Sequence, residues 1–290
     1  MQASAKETPF QLIGAAAKPL VLVPSHVNNT GPHNFLLDSG ATHCLISPEL
    51  ASNLGIQSES DEEAFGGGGA VQLSLARVHS VAVGSAKQEN TQVVITHDLE
   101  RIGAGLKATV DGAIGFTFLK DFRVTLDYER KVLWFVRPSG GGDETSHFGS
   151  SIPFTLTPSG PPILLQAFAN GQGPFQFTLD TGAGRSVISP DLADRLNVRS
   201  EKAIVGAGVG GQIPMSRARL ESLTVGDATV RDHIVVIGGF MEAISLAAGA
   251  KMDGIIGNNF LNQFRVTLDF PQSRLSLQSP SFSKLAQLIC

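Results

Sequence analysis

Phe35-Leu36-Leu37-Asp38-Ser39-Gly40-Ala41 returns further along the chain as Phe177-Thr178-Leu179-Asp180-Thr181-Gly182-Ala183, with the two aspartates 142 positions apart. The neighbourhood repeats at the same offset. Asp111-Gly112-Ala113-Ile114-Gly115 matches Asp253-Gly254-Ile255-Ile256-Gly257, and Phe122-Arg123-Val124-Thr125-Leu126-Asp127 recurs letter for letter as Phe264-Arg265-Val266-Thr267-Leu268-Asp269. A constant offset over so long a span leaves no room for a net insertion or deletion, so the chain is a tandem duplication. Pro138-Ser139-Gly140-Gly141-Gly142-Asp143-Glu144-Thr145-Ser146 has the Gly-rich polar composition of a connector. The expected organisation is a first half over 1–138, a linker over 139–150 and a second half over 151–290.

Within each half the residues read as short strands. Leu20-Val21-Leu22-Val23 and Ile163-Leu164-Leu165-Gln166-Ala167 are apolar runs of strand length. Each is followed by a turn rich in Asn, Gly and Pro (Asn28–Pro32, Asn170–Pro174) and a second strand that ends at Asp38 or Asp180. Ser47-Pro48 and Ser189-Pro190 have the N-cap and first-position pair that starts a helix. A strand pair closes each half, Arg123–Asp127 with Val132–Val136 and Arg265–Asp269 with Arg274–Gln278. The expected fold class is mostly β with a few short helices.

The chemistry lies in the Asp-Ser-Gly and Asp-Thr-Gly segments. Glycine allows a tight turn that brings an aspartate out from the end of a buried strand. It also removes the Cβ that would keep a second carboxylate at a distance. The Ser39 and Thr181 hydroxyls can bond across a local two-fold axis and fix the two loops against each other. Two carboxyls about 3 Å apart cannot both ionise, so they share a proton. Such a pair can hold a water between a general base and a general acid. One Asp-Ser-Gly is an ordinary turn. Two copies, each after an apolar strand and each followed by Ala and then Ile-Ser-Pro, carry more weight. Copying of a structural turn explains why the halves agree, but not why both keep a carboxylate, a hydroxyl and a glycine together.

Composition narrows the alternatives. The 290 residues are 42% hydrophobic and 17% charged, enough for a sizeable core, and 22 Lys and Arg against 26 Asp and Glu give a net charge of −4. No basic run exceeds two residues, so nucleic acid is not an expected partner. Apolar stretches are too interrupted for a spanning helix, and no membrane partner is expected. Cys44 and Cys290 cannot build a disulfide framework, and no His or Cys spacing suits a metal. Neither a metal nor any other cofactor is expected.

On these residues the chain resembles the single-chain bilobal aspartic proteases of the pepsin and retropepsin clan, and most closely the bacterial retropepsin-like members. The resemblance covers nearly the whole length, through the Asp38 and Asp180 loops, the glycine-rich stretches between, and the Ala113-Ile114-Gly115 and Ile255-Ile256-Gly257 segments. It implies two tandem β-barrel lobes with the active site between them, and peptide hydrolysis by an Asp38/Asp180 dyad through an activated water. Ser39, Gly40, Ala41, Thr181, Gly182 and Ala183 would form the supporting loops. Pepsin-like chains usually carry Ser or Thr where Ala41 and Ala183 stand. Losing that hydroxyl donor to the dyad predicts a weakly acid to near-neutral optimum. The one tyrosine, Tyr128, lies in the closing strand pair, so the pepsin-type flap tyrosine is missing.

Gly66, Gly68 and Gly69 map onto Gly208, Gly210 and Gly211 at the same offset, as expected of hairpin tips that open and close over an extended peptide. A phosphate cradle lacks its Lys-Ser/Thr ending here, and a plain flexible loop is the blander alternative. Asp111, Asp253, Asp127 and Asp269 sit beside turns or at strand ends and read as structural. His43 is matched by Arg185, so neither is needed by a symmetric chemistry. The segments 98–110 and 240–252 correspond but diverge, which is where an asymmetric cleft would arise. A polypeptide is the expected substrate and a monomer the expected state, because both half-sites are in one chain. A non-catalytic peptide-binding module is the alternative. The N-terminus lacks a signal-peptide pattern. Family resemblance alone favours a periplasmic or secreted protein, with a cytoplasmic one as the alternative.

Overall fold

The computed structural model describes residues 6–66, 68–138, 151–157 and 160–279. The expected linker and Cys290 lie outside them. The structure is mostly β, with six short helices among the described residues. None of the helices is long and apolar enough to cross a membrane.

Each half contributes an eight-stranded sheet of the same topology. In the first, the order is Gln11–Ile13, Leu20–Val27, Thr30–Leu37, Gly112–Ile114, Cys44–Ile46, Ala86–Ile95, Gly69–Val83 and Ser58–Gly66. An added pairing of Leu20–Val27 with Gly69–Val83 curls the sheet toward a barrel. In the second the order is Thr155–Thr157, Gly160–Ala169, Gln172–Leu179, Gly254–Ile256, Val187–Ile188, Ala228–Gly238, Gly211–Val225 and Lys202–Gly208, curled by the pairing of Gly160–Ala169 with Gly211–Val225. The continuous apolar run at Leu20–Val23 has a simple cause. Val21 and Val23 face the main core, while Leu20 and Leu22 face a second cluster with Leu99 and Val110. A strand buried on both faces has no reason to alternate.

A third sheet of six strands joins the halves, in the order Thr8–Pro9, Val132–Val136, Arg123–Asp127, Arg265–Asp269, Arg274–Gln278 and Ser151–Pro153. The two closing hairpins therefore pair with each other as well as internally. At the seam Thr125 stands opposite Thr267, and their hydroxyls lie 2.9 Å apart on the local two-fold axis. Arg123 reaches Asp269 at 2.6 Å, and Arg265 lies 3.9 Å from Asp127. Val124, Leu126, Val266 and Leu268 all belong to one core that runs through both halves.

The helix starts follow the sequence. Ser47 Oγ accepts from Leu50 N, and Ser189 Oγ from Leu192 N, each at 3.1 Å, with proline in the first turn of both helices.

Candidate active site

In each half the strand that ends at the aspartate lies beside a strand returning from far along the chain. Thr30–Leu37 runs parallel to Gly112–Ile114, and Gln172–Leu179 parallel to Gly254–Ile256. Ile114 O accepts from Asp38 N, and Ile256 O from Asp180 N, both at 3.0 Å. Glycine is required beside each loop: a Cβ on Gly115 would stand 2.1 Å from His43 O, and one on Gly257 2.6 Å from Arg185 O. Each aspartate is thereby fixed by backbone before its side chain makes any contact.

The two loops then meet. Ser39 N donates to Thr181 Oγ1 at 2.9 Å, and Thr181 N to Ser39 Oγ at 3.1 Å. The hydroxyls continue across the axis, Thr181 Oγ1 to Leu37 O at 2.9 Å and Ser39 Oγ to Leu179 O at 3.3 Å. Both side chains are buried and saturated in this exchange. The loops behave as one rigid unit, since parting them would break four buried hydrogen bonds.

This grip brings Asp38 and Asp180 together, and their carboxyls hydrogen-bond to each other. A Cβ on Gly40 would lie 2.9 Å from Asp180 Cγ, and one on Gly182 only 2.5 Å from Asp38 Cγ. Each loop's glycine is the floor for the other loop's carboxyl. The surroundings differ between the two. Asp38 Oδ1 accepts from Gly40 N and Ala41 N, both at 3.0 Å, whereas Asp180 Oδ1 accepts from Gly182 N at 2.7 Å. Protein surrounds both carboxyls, which keep a partial window to solvent. Burial raises both above the ordinary carboxylate range. Asp180 is pushed up to about 8, by burial first and by the negative charge of Asp38 second. Backbone donors pull back on both carboxyls, but the contact between the two lowers Asp38 and raises Asp180, so the shared proton is assigned to Asp180.

The sequence reading did not find two residues that brace the Asp180 loop. Asn258 Nδ2 donates to Thr181 O at 2.5 Å, and Asn258 Oδ1 accepts from Tyr128 Oη, contributed by the other half, at 2.7 Å. At the positions related by the local two-fold axis, Phe116 replaces Asn258 and Phe270 replaces Tyr128, in an edge-to-face contact at 5.9 Å. One loop is held by a polar brace and its twin by an aromatic pair. Tyr128→Phe would leave the buried Asn258 amide without its donor. We expect a stability loss of about 1–2 kcal/mol, read as a lowered urea midpoint. Nothing in the sequence pairs residues 128 and 258, because the contact crosses between halves at a point where the repeat has diverged.

The remaining acids have structural partners. Asp111 accepts from Asn34 N at 2.7 Å and Asp253 from Gln176 N at 2.9 Å. Asp127 and Asp269 accept turn amides from Arg130 and Gln272; across the seam Asp269 also accepts from Arg123, while Asp127 faces Arg265. Beneath the second loop, Ser186 Oγ lies 3.1 Å from His233 Nε2 and accepts from Gly257 N at 3.1 Å. Burial lowers His233 to about 4, and both residues are sealed in the core, so this contact is packing rather than a nucleophile. Cys44 is fully buried, with its thiol pushed up to about 11 by burial. Among the described residues no three His, Cys, Asp or Glu side chains gather as metal ligands.

The glycine-rich runs form the tips of two long hairpins, Ser58–Gly66 with Gly69–Val83 and Lys202–Gly208 with Gly211–Val225. Gly66 and Gly208 end the incoming strands, Gly69 and Gly211 begin the outgoing ones, and Gly68 and Gly210 lie in the tips. Gly69, Gly210 and Gly211 have φ of 121°, 90° and 140°, which only glycine adopts without strain. The tips touch: Gly68 N donates to Val209 O at 2.9 Å, and a Cβ on Gly68 would stand 2.2 Å from Gly211 N. Ala183 joins Ile204 and Met215, from the stems of the second hairpin, around one apolar cluster. That cluster links the hairpin to the Asp180 loop.

Comparison with known proteins agrees with this arrangement. No curated protein matches the chain. Among solved structures, the aspartic proteinase from Irpex lacteus superposes with a TM-score of 0.53 at 14% identity, over 97% of this chain and 98% of that one. At that identity the likeness is one of fold. The family model for aspartyl proteases matches twice, over residues 23–118 and 165–260, once for each half. Those two matches take in both aspartate loops, both hairpins and both crossing strands, and the chain belongs to the aspartyl protease family.

Proposed function

We propose that the protein is an endopeptidase in which Asp38 and Asp180 form the catalytic dyad. The observation that carries this reading is the hydrogen-bonded pair of carboxyls, each resting on the other loop's glycine. Asp38, which accepts two backbone N–H groups, is the general base, and Asp180, raised to about 8, is the acid. Asp38 takes a proton from water as its oxygen attacks the peptide carbonyl, and Asp180 gives its proton to the carbonyl oxygen. Collapse breaks the C–N bond. The amine leaves with the proton from Asp38, and a hydroxyl of the tetrahedral intermediate returns one to Asp180. The hairpins close over an extended polypeptide, whose backbone pairs with their strands. One chain supplies both carboxyls, so a monomer suffices.

A peptide-library digest from pH 3 to 9, read by mass spectrometry, compares wild type with Asp38→Asn. Cleavage is expected in wild type and a loss of at least about 10³-fold in the variant. The optimum should lie between about pH 5 and 7.5, as the loss of a hydroxyl at Ala41 and Ala183 requires. An optimum below about pH 4 would sink that argument. Equal inertness of both proteins, with retained peptide binding, would replace an enzyme by a binding module on the same fold.

A further inference from the structure

Helix Asp98–Leu106 belongs to the first half, yet its first turn holds the hairpin tip of the second. Asp98, only 5% exposed, accepts from Gly210 N through Oδ2 at 3.1 Å and pairs through Oδ1 with Arg101. The Arg101 guanidinium also donates to Gly208 O at 2.9 Å. The backbone groups on either side of Val209 are thus bound by one ion pair from the opposite half. Hairpin-tip amides ordinarily turn to water, and charge-assisted bonds from a pair anchored on a buried carboxylate are stronger than that exchange. Val209 O in turn accepts from Gly68 N, so the first tip leans on the second.

The latch has no twin. At the fixed offset of 142, Asp98 corresponds to Phe240 and Arg101 to Ala243, and neither side chain can donate or accept a hydrogen bond. Helix Met241–Ala248 does touch strand Ser58–Gly66 of the first hairpin, but Phe240 packs in the apolar cluster with Met215 and Ile244. A negative charge in the first turn also serves its own helix. That local role does not require Oδ2 to meet a tip amide 112 residues away.

We propose that Asp98 and Arg101 are positioning residues that pin the second hairpin in its closed position, so that substrate enters by movement of the first hairpin alone. This rests on the reading of the hairpins as covers for a peptide cleft. Exchange of backbone hydrogens, followed by mass spectrometry without substrate, tests the latch independently of any hydrolysis. In wild type, segment 205–213 should exchange roughly tenfold more slowly than segment 64–72. Arg101→Ala should bring 205–213 to the faster rate and leave the two core sheets unchanged. Arg101→Lys should restore part of the protection. On a cleaved peptide, Arg101→Ala should raise KM several-fold with kcat nearly constant.

Equal exchange of the two segments in wild type would overturn the proposal, as would an unchanged 205–213 segment in Arg101→Ala. Should Arg101→Ala speed exchange throughout the chain, Asp98→Asn decides. It keeps the size and an acceptor for Gly210 but releases the guanidinium, and it must still quicken 205–213 selectively. Inert peptides combined with the expected exchange pattern would count against the protease reading and leave the latch standing.

Discussion

Gly182→Ala is expected to reduce kcat for peptide hydrolysis by about a hundredfold or more, although it adds one methyl group. Neither Gly40 nor Gly182 has a left-handed backbone, so alanine is locally permitted at both. The damage comes from where the methyl would stand, 2.5 Å from Asp38 Cγ and 2.6 and 2.7 Å from its two oxygens. Atoms do not approach so closely, and the interlocked Ser39 and Thr181 leave the loops no cheap way to part. The Asp38 carboxyl must therefore swing away from its partner, and the acid–base pair is lost. Gly40→Ala meets Asp180 at 2.9 to 3.0 Å and should cost less. Kinetics on one good library peptide, with thermal unfolding of each variant, check the order. Near-normal turnover in Gly182→Ala would mean that these carboxyls are not the reacting pair.

Replacing Asp180 by asparagine is expected to change the pH dependence of folding as markedly as it changes catalysis. Asp180 titrates near 3.8 when unfolded and about 8 in the folded protein. Between those values the folded state holds a proton that the unfolded chain has released. Stability from this group is therefore fully present below about pH 4 and is lost as pH rises through about 8. Burying a second charged carboxylate, and then its repulsion by the first, is what the fold pays at the alkaline end. An asparagine at this position carries no charge at any pH, so Asp180→Asn should unfold at a higher urea concentration than wild type at pH 9. Allowing for the carboxyls' partial solvent contact, the gap between the two curves should change by ~3 kcal/mol from pH 4 to 9. Urea midpoints followed by circular dichroism at pH 4, 6 and 9 test this. Parallel curves for the two proteins would show that the pair shares no proton.

The two aspartate loops were legible because their constraints are local. A strand end, a carboxylate, a hydroxyl and a glycine occupy consecutive positions, and the repeat supplies each twice. The helix starts at Ser47 and Ser189 are read equally well, since capping involves residues three apart. Contacts between halves are another matter. The hexapeptide Phe122–Asp127 reads as one strand of its own hairpin, and nothing within it says that it also meets its copy. The acidic run Glu59 to Glu63 conceals a long strand, whose pairing is set by its neighbour Gly69–Val83 rather than by its own composition. Asp98 with Arg101, and Tyr128 with Asn258, lie where the two halves have drifted apart. Comparing the copies flags those positions as different, but only the folded arrangement reveals which distant groups they meet.

The seam between the halves has a further consequence. Its two central strands have identical sequences, so Arg123 facing Asp269 and Arg265 facing Asp127 are the same pairing of residue types written twice, closed at 2.6 Å in one copy and open at 3.9 Å in the other. A second copy of the first half would present the same arginine, threonine and aspartate in the same places. The interface is therefore self-complementary, and by itself it does not distinguish its own partner from a duplicate. Fidelity of assembly comes from tethering, because two halves on one chain meet at a far higher effective concentration than two molecules do. A cut between the halves would remove that advantage. Like could then associate with like, and the contacts of Tyr128 with Asn258, of Asp98 with Gly210 and of Arg101 with Gly208, which need one copy of each half, would be the features left to favour the mixed pair.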